Sequence, residues 1–196
     1  MMLKATRCVV GCMVSDFDRS VVGVLSGGKM LENRLEDVIR GSLELVQLYV
    51  TKYDVELCTE AAVAGRLDVL KWLRSQNPPC PWDELVCSYA AKHGHLDVLK
   101  WARSQDPPCP WDLSVTYFAA RKNHLDVLEW LRSRNPPCPW DEYTCTYAAM
   151  HGNLDILKWL RSQDPPCPWD EWTTTYATMN GKLEVLKWAK DNGCPG

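Results

Sequence analysis

Residues 82–110 read WDELVCSYAAKHGHLDVLKWARSQDPPCP, and at Trp111-Asp112 the same phrase begins again. The run Pro-Pro-Cys-Pro-Trp recurs around Cys80, Cys109, Cys138 and Cys167, each 29 residues after the last. Stacked on that period, Trp72, Trp101, Trp130, Trp159 and Trp188 form one column. Trp82, Trp111, Trp140 and Trp169 form another, headed by Tyr53. A third holds Ala62, Ala91, Ala120 and Ala149, with Thr178 in the last copy. The chain therefore contains five units, 53–81, 82–110, 111–139, 140–168 and 169–196. Self-similarity at a fixed short period marks a stacked array in which each unit leans on its neighbours.

One unit can be read from its own chemistry. Asp83 can accept from the free amides of a helix that starts at Glu84, and Asp recurs at 54, 112, 141 and 170. A helix A of about ten residues follows, with small Ala90 and Ala91 where another backbone must come close. The column Gly65, Gly94, Asn123, Gly152 and Gly181 stops it, because glycine and then asparagine best tolerate a left-handed backbone. Helix B follows at once, with Leu96, Val98, Leu99, Trp101 and Ala102 along one side. An acid opens its first turn and a base closes its last, matching the macrodipole. The prolines of Asp106-Pro107-Pro108-Cys109-Pro110 then remove amide donors and hold an extended connection. Helix, tight turn, helix and stiff loop, stacked side by side, make an all-α protein, an α-solenoid of helix-turn-helix repeats.

Upstream, Gly41 to Tyr49 repeats the helix B pattern at a spacing of 24 rather than 29 residues. Residues 31–52 are thus read as a degenerate N-terminal capping repeat, whose leading helix spans Leu31 to Arg40 and carries Glu32, Arg34, Glu36, Asp37 and Arg40 on a polar exterior. Residues 1–30 form a leader read as poorly ordered or irregular. Lys4 and Arg7 before Cys8 to Val14 are similar to a secretory start, but the apolar stretch is minimal and Asp16 and Asp18 follow it. At the other end, Cys194-Pro195 stops where the next Trp-Asp belongs, so the last helix B is either a tolerated cap or the end of a shortened product.

Copying explains a lopsided composition of ten Trp, ten Cys and thirteen Pro against two Phe in 196 residues. With 22 Lys plus Arg against 25 Asp plus Glu, the net charge of -3 argues against nucleic-acid binding by bulk charge. No apolar run approaches the roughly eighteen residues that cross a bilayer. The expectation is a soluble monomer.

The run Tyr89-Ala90-Ala91-Lys92-His93-Gly94-His95-Leu96-Asp97-Val98-Leu99-Lys100-Trp101 resembles the second half of an ankyrin repeat. Variants of it occur at Ala61 to Trp72, Ala119 to Trp130 and Ala148 to Trp159, and the likeness covers Leu31 to Pro195. The type it resembles is a divergent one, with Cys-Pro-Trp-Asp connections. A usual ankyrin unit has about 33 residues and opens Thr-Pro-Leu-His. Here Leu85-Val86-Cys87-Ser88 takes that place, and a proline-bound loop stands where the family projects a β-hairpin finger, so a reduced or absent finger is expected.

The cysteine column is the tempting chemical site. Stacked helix pairs advance by about 8–10 Å, whereas a disulfide needs Cα atoms within about 7 Å, so column mates cannot bridge, and they cannot share zinc. Cys80, Cys87, His93 and His95 within one unit fail as a ligand set because the next copy offers Thr116 and Lys122. The cysteines are read as small buried hydrophobes of a reduced, intracellular protein of cytoplasm or nucleus. No cofactor and no metal is expected. His93, His95, His124 and His151 are read as polar residues of helix turns rather than as bases, and no nucleophile, base and orienting group converge, so no enzyme is expected. The tryptophans are read as a structural ladder, each fully buried indole contributing at most about 4–6 kcal/mol.

Positions constant from unit to unit serve the stack, and variable ones are free for a partner. The variable positions gather on helix A: Leu85, Ser114, Tyr143 and Trp172; Ser88, Tyr117, Thr146 and Thr175; and the pairs Lys92 and His93, Arg121 and Lys122, Met150 and His151, Met179 and Asn180. The ankyrin resemblance implies that helix A lines a concave face, which makes these residues an elongated contact strip for another protein. The competing reading makes the chain the substrate-recognition part of a larger enzyme assembly such as a ubiquitin ligase. Met1 to Lys29 would then carry the adaptor, and no adaptor motif is visible there.

Overall fold

The computed structural model describes residues 39–50 and 54–196. The leader, Tyr53 and nearly all of the expected capping helix lie outside them. After α1 (Leu43–Tyr49), five helix pairs follow: α2 (Val55–Val63) with α3 (Leu67–Arg74), α4 (Glu84–His93) with α5 (Leu96–Arg103), α6 (Leu113–Arg121) with α7 (Leu125–Arg132), α8 (Glu142–His151) with α9 (Leu154–Ser162), and α10 (Glu171–Met179) with α11 (Leu183–Asp191). Among the described residues there is no strand, and the proline loops carry no finger.

Each first helix starts where an aspartate can cap it. Asp54 accepts from the amide of Leu57 at 3.2 Å, and Asp83, Asp112, Asp141 and Asp170 accept from the amides two residues ahead at 2.9 to 3.1 Å. It stops where the backbone turns left-handed, at Gly65, Gly94, Gly152 and Gly181 with φ from 66° to 81°, and at Asn123 with φ 64°.

These turns have a second requirement that the spacing did not reveal. After four of the five, the following residue reaches back over its neighbour and donates to a carbonyl at or near the end of the preceding unit's first helix. His95 Nε2–H donates to Val63 O at 3.1 Å and His124 Nε2–H to Lys92 O at 3.2 Å. Asn153 Nδ2 donates to Ala120 O and Arg121 O, and Arg66 to Ile39 O and Gly41 O. These are helix-end carbonyls with no partner inside their own helix. A methyl on Gly65 or Gly94 would lie 2.6 Å from the imidazole of His95 or His124. The two histidines are therefore staples between units as well as polar residues of helix turns.

Successive first helices lie close along the whole array, whereas successive second helices make far fewer close approaches. The reason is side-chain size. Ala61, Ala62, Ala90, Ala91, Ala119, Ala120, Ala148, Ala149 and Ala177 are fully buried, while the second helices bury larger residues such as Leu70, Leu99, Leu128 and Leu157. Units spaced more tightly on one side bend the stack, with the first helices on the inner, concave side.

The proline loop is pinned by its cysteine. Cys109 donates its amide to Ala102 O at 3.0 Å and its thiol to Asp83 O at 3.3 Å, and its carbonyl accepts from Arg103 and from the thiol of Cys87 at 3.9 Å. Equivalent contacts surround Cys80 and Cys167. In α6 and α10 the thiol of the first helix is replaced by a hydroxyl that does the same work, Thr116 donating to Pro139 O at 3.3 Å and Thr174 to Pro195 O at 2.8 Å. Any small donor suffices at that position, which argues for packing rather than reactivity.

The tryptophan ladder is half-buried, not fully buried as expected. Each Trp of the loop meets the Trp of the following second helix edge to face, Trp82 with Trp101, Trp111 with Trp130, Trp140 with Trp159 and Trp169 with Trp188, at centroid distances of 5.9 to 6.2 Å. Arg74, Arg103, Arg132 and Arg161 lie 3.8 to 4.1 Å over the loop indoles. The indoles seal the outer seam between units under a guanidinium lid, so water reaches one side of them.

Replacing Trp130 by Ala is expected to lower stability by about 3 kcal/mol, the low end for a large aromatic because part of the ring is already wet; unchanged thermal unfolding would remove the ladder from the account. Gly94→Ala and Gly181→Ala separate the two demands on the turn. Both incur about 1–2 kcal/mol for a left-handed alanine, but only Gly94→Ala displaces a histidine, since nothing lies within 4 Å at Gly181. Gly94→Ala should melt at the lower temperature, and equal melting would mean that the His124 staple contributes nothing.

Candidate functional site

The inner face presents one register of exposed apolar side chains. Leu85, Tyr143 and Trp172 are 42%, 49% and 47% exposed, each two residues after the capping aspartate of its helix. One turn further on, on the same helical face, stand the half-buried rings of Tyr89, Tyr147 and Tyr176. Trp172 lies against Tyr176 at 6.0 Å. In α6 the equivalent first position is Ser114, half-buried, and the ring is supplied by Tyr117, which packs on Tyr143 at 6.2 Å and on Tyr147 at 5.5 Å. The Tyr117 hydroxyl donates to Asp141, and burial together with that carboxylate pushes its ionisation well above the ordinary tyrosine range. Tyr117 thus ties one first helix to the cap of the next while keeping an edge at the surface.

The far end of the strip is basic. Lys92 extends over Tyr89 at 4.8 Å and Phe118 at 5.5 Å, so its charge lies on two rings that are stacked 6.1 Å apart. Arg121 Nε–H donates to His151 Nε2 at 3.1 Å while His151 Nδ1–H donates to Tyr147 O at 3.2 Å. Lys122 and His93 are exposed, as are Met179 and Asn180 at the last unit, whereas Met150 and Thr175 are half-buried.

Two residues of the expected strip do not belong to its surface. Ser88 and Thr146 are buried, at 0% and 3% exposure. Ser88 Oγ bonds to Glu84 O and Ser114 Oγ, and Thr146 Oγ1 to Thr173 Oγ1 at 3.4 Å, so both fill the space between successive first helices. Conversely, Tyr89, Phe118, Tyr147 and Tyr176 line the strip although they form a nearly constant column. Constancy made them look like packing residues. Their chemistry was the available signal, since a ring that is buried on one edge only, unlike the alanines beside it, presents the other edge to a partner.

Among the described residues no group of three or more His, Cys, Asp or Glu could hold a metal ion, and no helix is long and apolar enough to cross a membrane. Burial pushes the Cys138 thiol up to about 12. Neighbouring sulfurs and burial hold Cys87 and Cys145 well above the ordinary thiol range, where a nucleophilic thiolate does not form. Cys80 moves the other way because the Cys58 thiol donates to it, yet it is fully buried beneath its loop.

A family model described as ankyrin repeats (many copies) matches residues 87–132 and 115–161, the stretch from α4 to α9. Over those residues the chain is similar to ankyrin repeats. The match spans helix-turn-helix pairs together with the cysteine-pinned loops between them. Ankyrin repeats are generally protein–protein interaction modules and typically non-enzymatic. No curated protein matches the chain.

Burial holds His151 below the ordinary imidazole range, with the Arg121 charge acting in the same direction. The fold therefore favours the neutral ring. The stability this confers is complete above about pH 6.5 and is lost as the pH falls through the lower folded value. Melting temperatures measured at about pH 7.5 and about pH 5 should differ less in His151→Gln than in the wild type; an unchanged difference would show that the ring does not sense its site.

Proposed function

We propose that this array is a non-enzymatic module that binds a partner protein along the concave strip of its first helices. One observation carries the reading: Leu85, Tyr143 and Trp172 stand exposed in a single register, at a column that varies from unit to unit. Large apolar and aromatic side chains held on rigid helices lose little freedom on binding, which is how interface anchors work. The occupant is a protein segment with apolar side chains along the aromatic part and acidic groups toward Lys92, Arg121 and Lys122. The buried thiols suit a reducing compartment, cytoplasm or nucleus.

The test is affinity purification followed by mass spectrometry, with the wild type beside a triple variant, Leu85→Ala with Tyr143→Ala and Trp172→Ala. These three positions are preferred to Tyr117, whose hydroxyl supports the next helix. The variant should keep its helical circular dichroism and melting temperature and lose its partner, with affinity falling about 100-fold or more for three anchors. Capture of the same proteins by wild type and variant would place binding elsewhere.

A further inference from the structure

A second site lies on the outer side, where the ends of α5 and α7 meet the loop between them. A groove of about 280 Å³ is lined there by Lys100, Arg103, Ser104, Trp111, Trp130 and Arg134, among others. The array supplies its own control for this groove. The matching positions between α3 and α5 are Lys71, Arg74, Gln105 and Asp106, and those between α7 and α9 are Glu129, Arg132, Gln163 and Asp164, mixtures of both signs. Between α5 and α7 they are Lys100, Arg103, Arg134 and Asn135, three cations without an acid.

The constant arginine has a structural duty, since Arg103 donates to Cys109 O and lies on Trp111. Arg134 does not. At its column Gln76, Gln105 and Gln163 each donate to the carbonyl of the second-helix tryptophan, at 2.8 to 3.1 Å. A glutamine therefore serves the fold, and the guanidinium is surplus to it. Arg134 instead rests 5.0 Å over Trp130 and bonds to Ser133 Oγ. Among the described residues no carboxylate lies within ion-pair distance of Lys100, Arg103 or Arg134, although the chain as a whole is acidic. Guanidiniums seated on indoles are oriented in advance, and their free N–H edges match the oxygens of an oxyanion.

We propose that this groove binds a phosphoryl group carried on a side chain of a partner protein. A cavity of this size holds one side-chain head rather than a folded domain. Three cations around it match a group with about two negative charges and three acceptor oxygens better than a carboxylate with one charge and two. The groove is separate from the concave strip, so the two sites can be occupied independently.

The measurement is fluorescence anisotropy on the full chain, with a fluorescein-labelled degenerate phosphoserine peptide pool, the same pool unphosphorylated, the same pool with glutamate in place of phosphoserine, and inorganic phosphate as competitor. The variants are Arg134→Gln, which restores the residue of the other repeats, and Lys100→Glu, which copies Glu129. Both residues already occur at these columns, so the melting temperature should stay at the wild-type value. The phosphorylated pool should bind in a salt-sensitive manner, each variant should weaken it by about tenfold or more, and the Leu85, Tyr143 and Trp172 triple variant should bind it normally. The proposal is overturned if the phosphorylated pool does not bind, if the unphosphorylated or glutamate pool binds as well, or if Arg134→Gln leaves affinity unchanged. It also fails if inorganic phosphate displaces the peptide at the peptide's own dissociation constant, since the groove would then be a site for free phosphate.

Discussion

How closely one first helix can lie against the next decides most of what this protein is. The paired alanines remove the side-chain volume that would hold the backbones apart, and no comparable thinning occurs on the second helices. A single difference in side-chain size between two layers thus produces both a continuous core and a curved face. The curvature brings side chains from four different units into one strip, which no single unit could offer.

Tight stacking creates a polar problem, because it buries helix ends and loops whose amides and carbonyls water no longer reaches. The array meets it with the same few devices in nearly every copy. Aspartate caps the start, a left-handed residue makes the turn, and the following side chain reaches into the unit before. A cysteine clasps the proline loop. Among the described residues no buried side-chain nitrogen or oxygen is left without a partner. Cysteine and threonine exchange at the loop-facing position because both are small donors. An abundance of cysteine here reflects hydrogen bonding in a dry seam rather than redox or metal chemistry.

Repetition also separates fold from function inside one molecule. Where a residue recurs, the stack accounts for it; where it departs, the structure shows whether the neighbours need the change. Ser88 and Thr146 depart and are absorbed between helices, whereas Leu85, Tyr143 and Trp172 depart and remain in the open. Arg134 departs, keeping its column's bond to the preceding serine but giving up the bond to the tryptophan carbonyl. The ladder tryptophans recur from Trp82 to Trp188, and their half-burial under arginine explains why a large aromatic is kept on the outer seam: the indole closes it and its face holds the cation.

Period, helix limits, capping aspartates and left-handed turns were legible in the chain alone, because each is a local demand that one or two residues meet. Asn123 could be placed beside four glycines from its backbone chemistry before any neighbour was known. The depth of each side chain was not legible. Ser88 and Leu85 stand three residues apart on one helix, and nothing local says that the first faces another backbone and the second faces solvent. The reach of His95 into the preceding unit, the wet edge of the tryptophans and the bareness of the cations beside Trp111 have the same origin. Each depends on the distance between two units, and that distance is set by packing across the stack, not by the order of residues within any one copy.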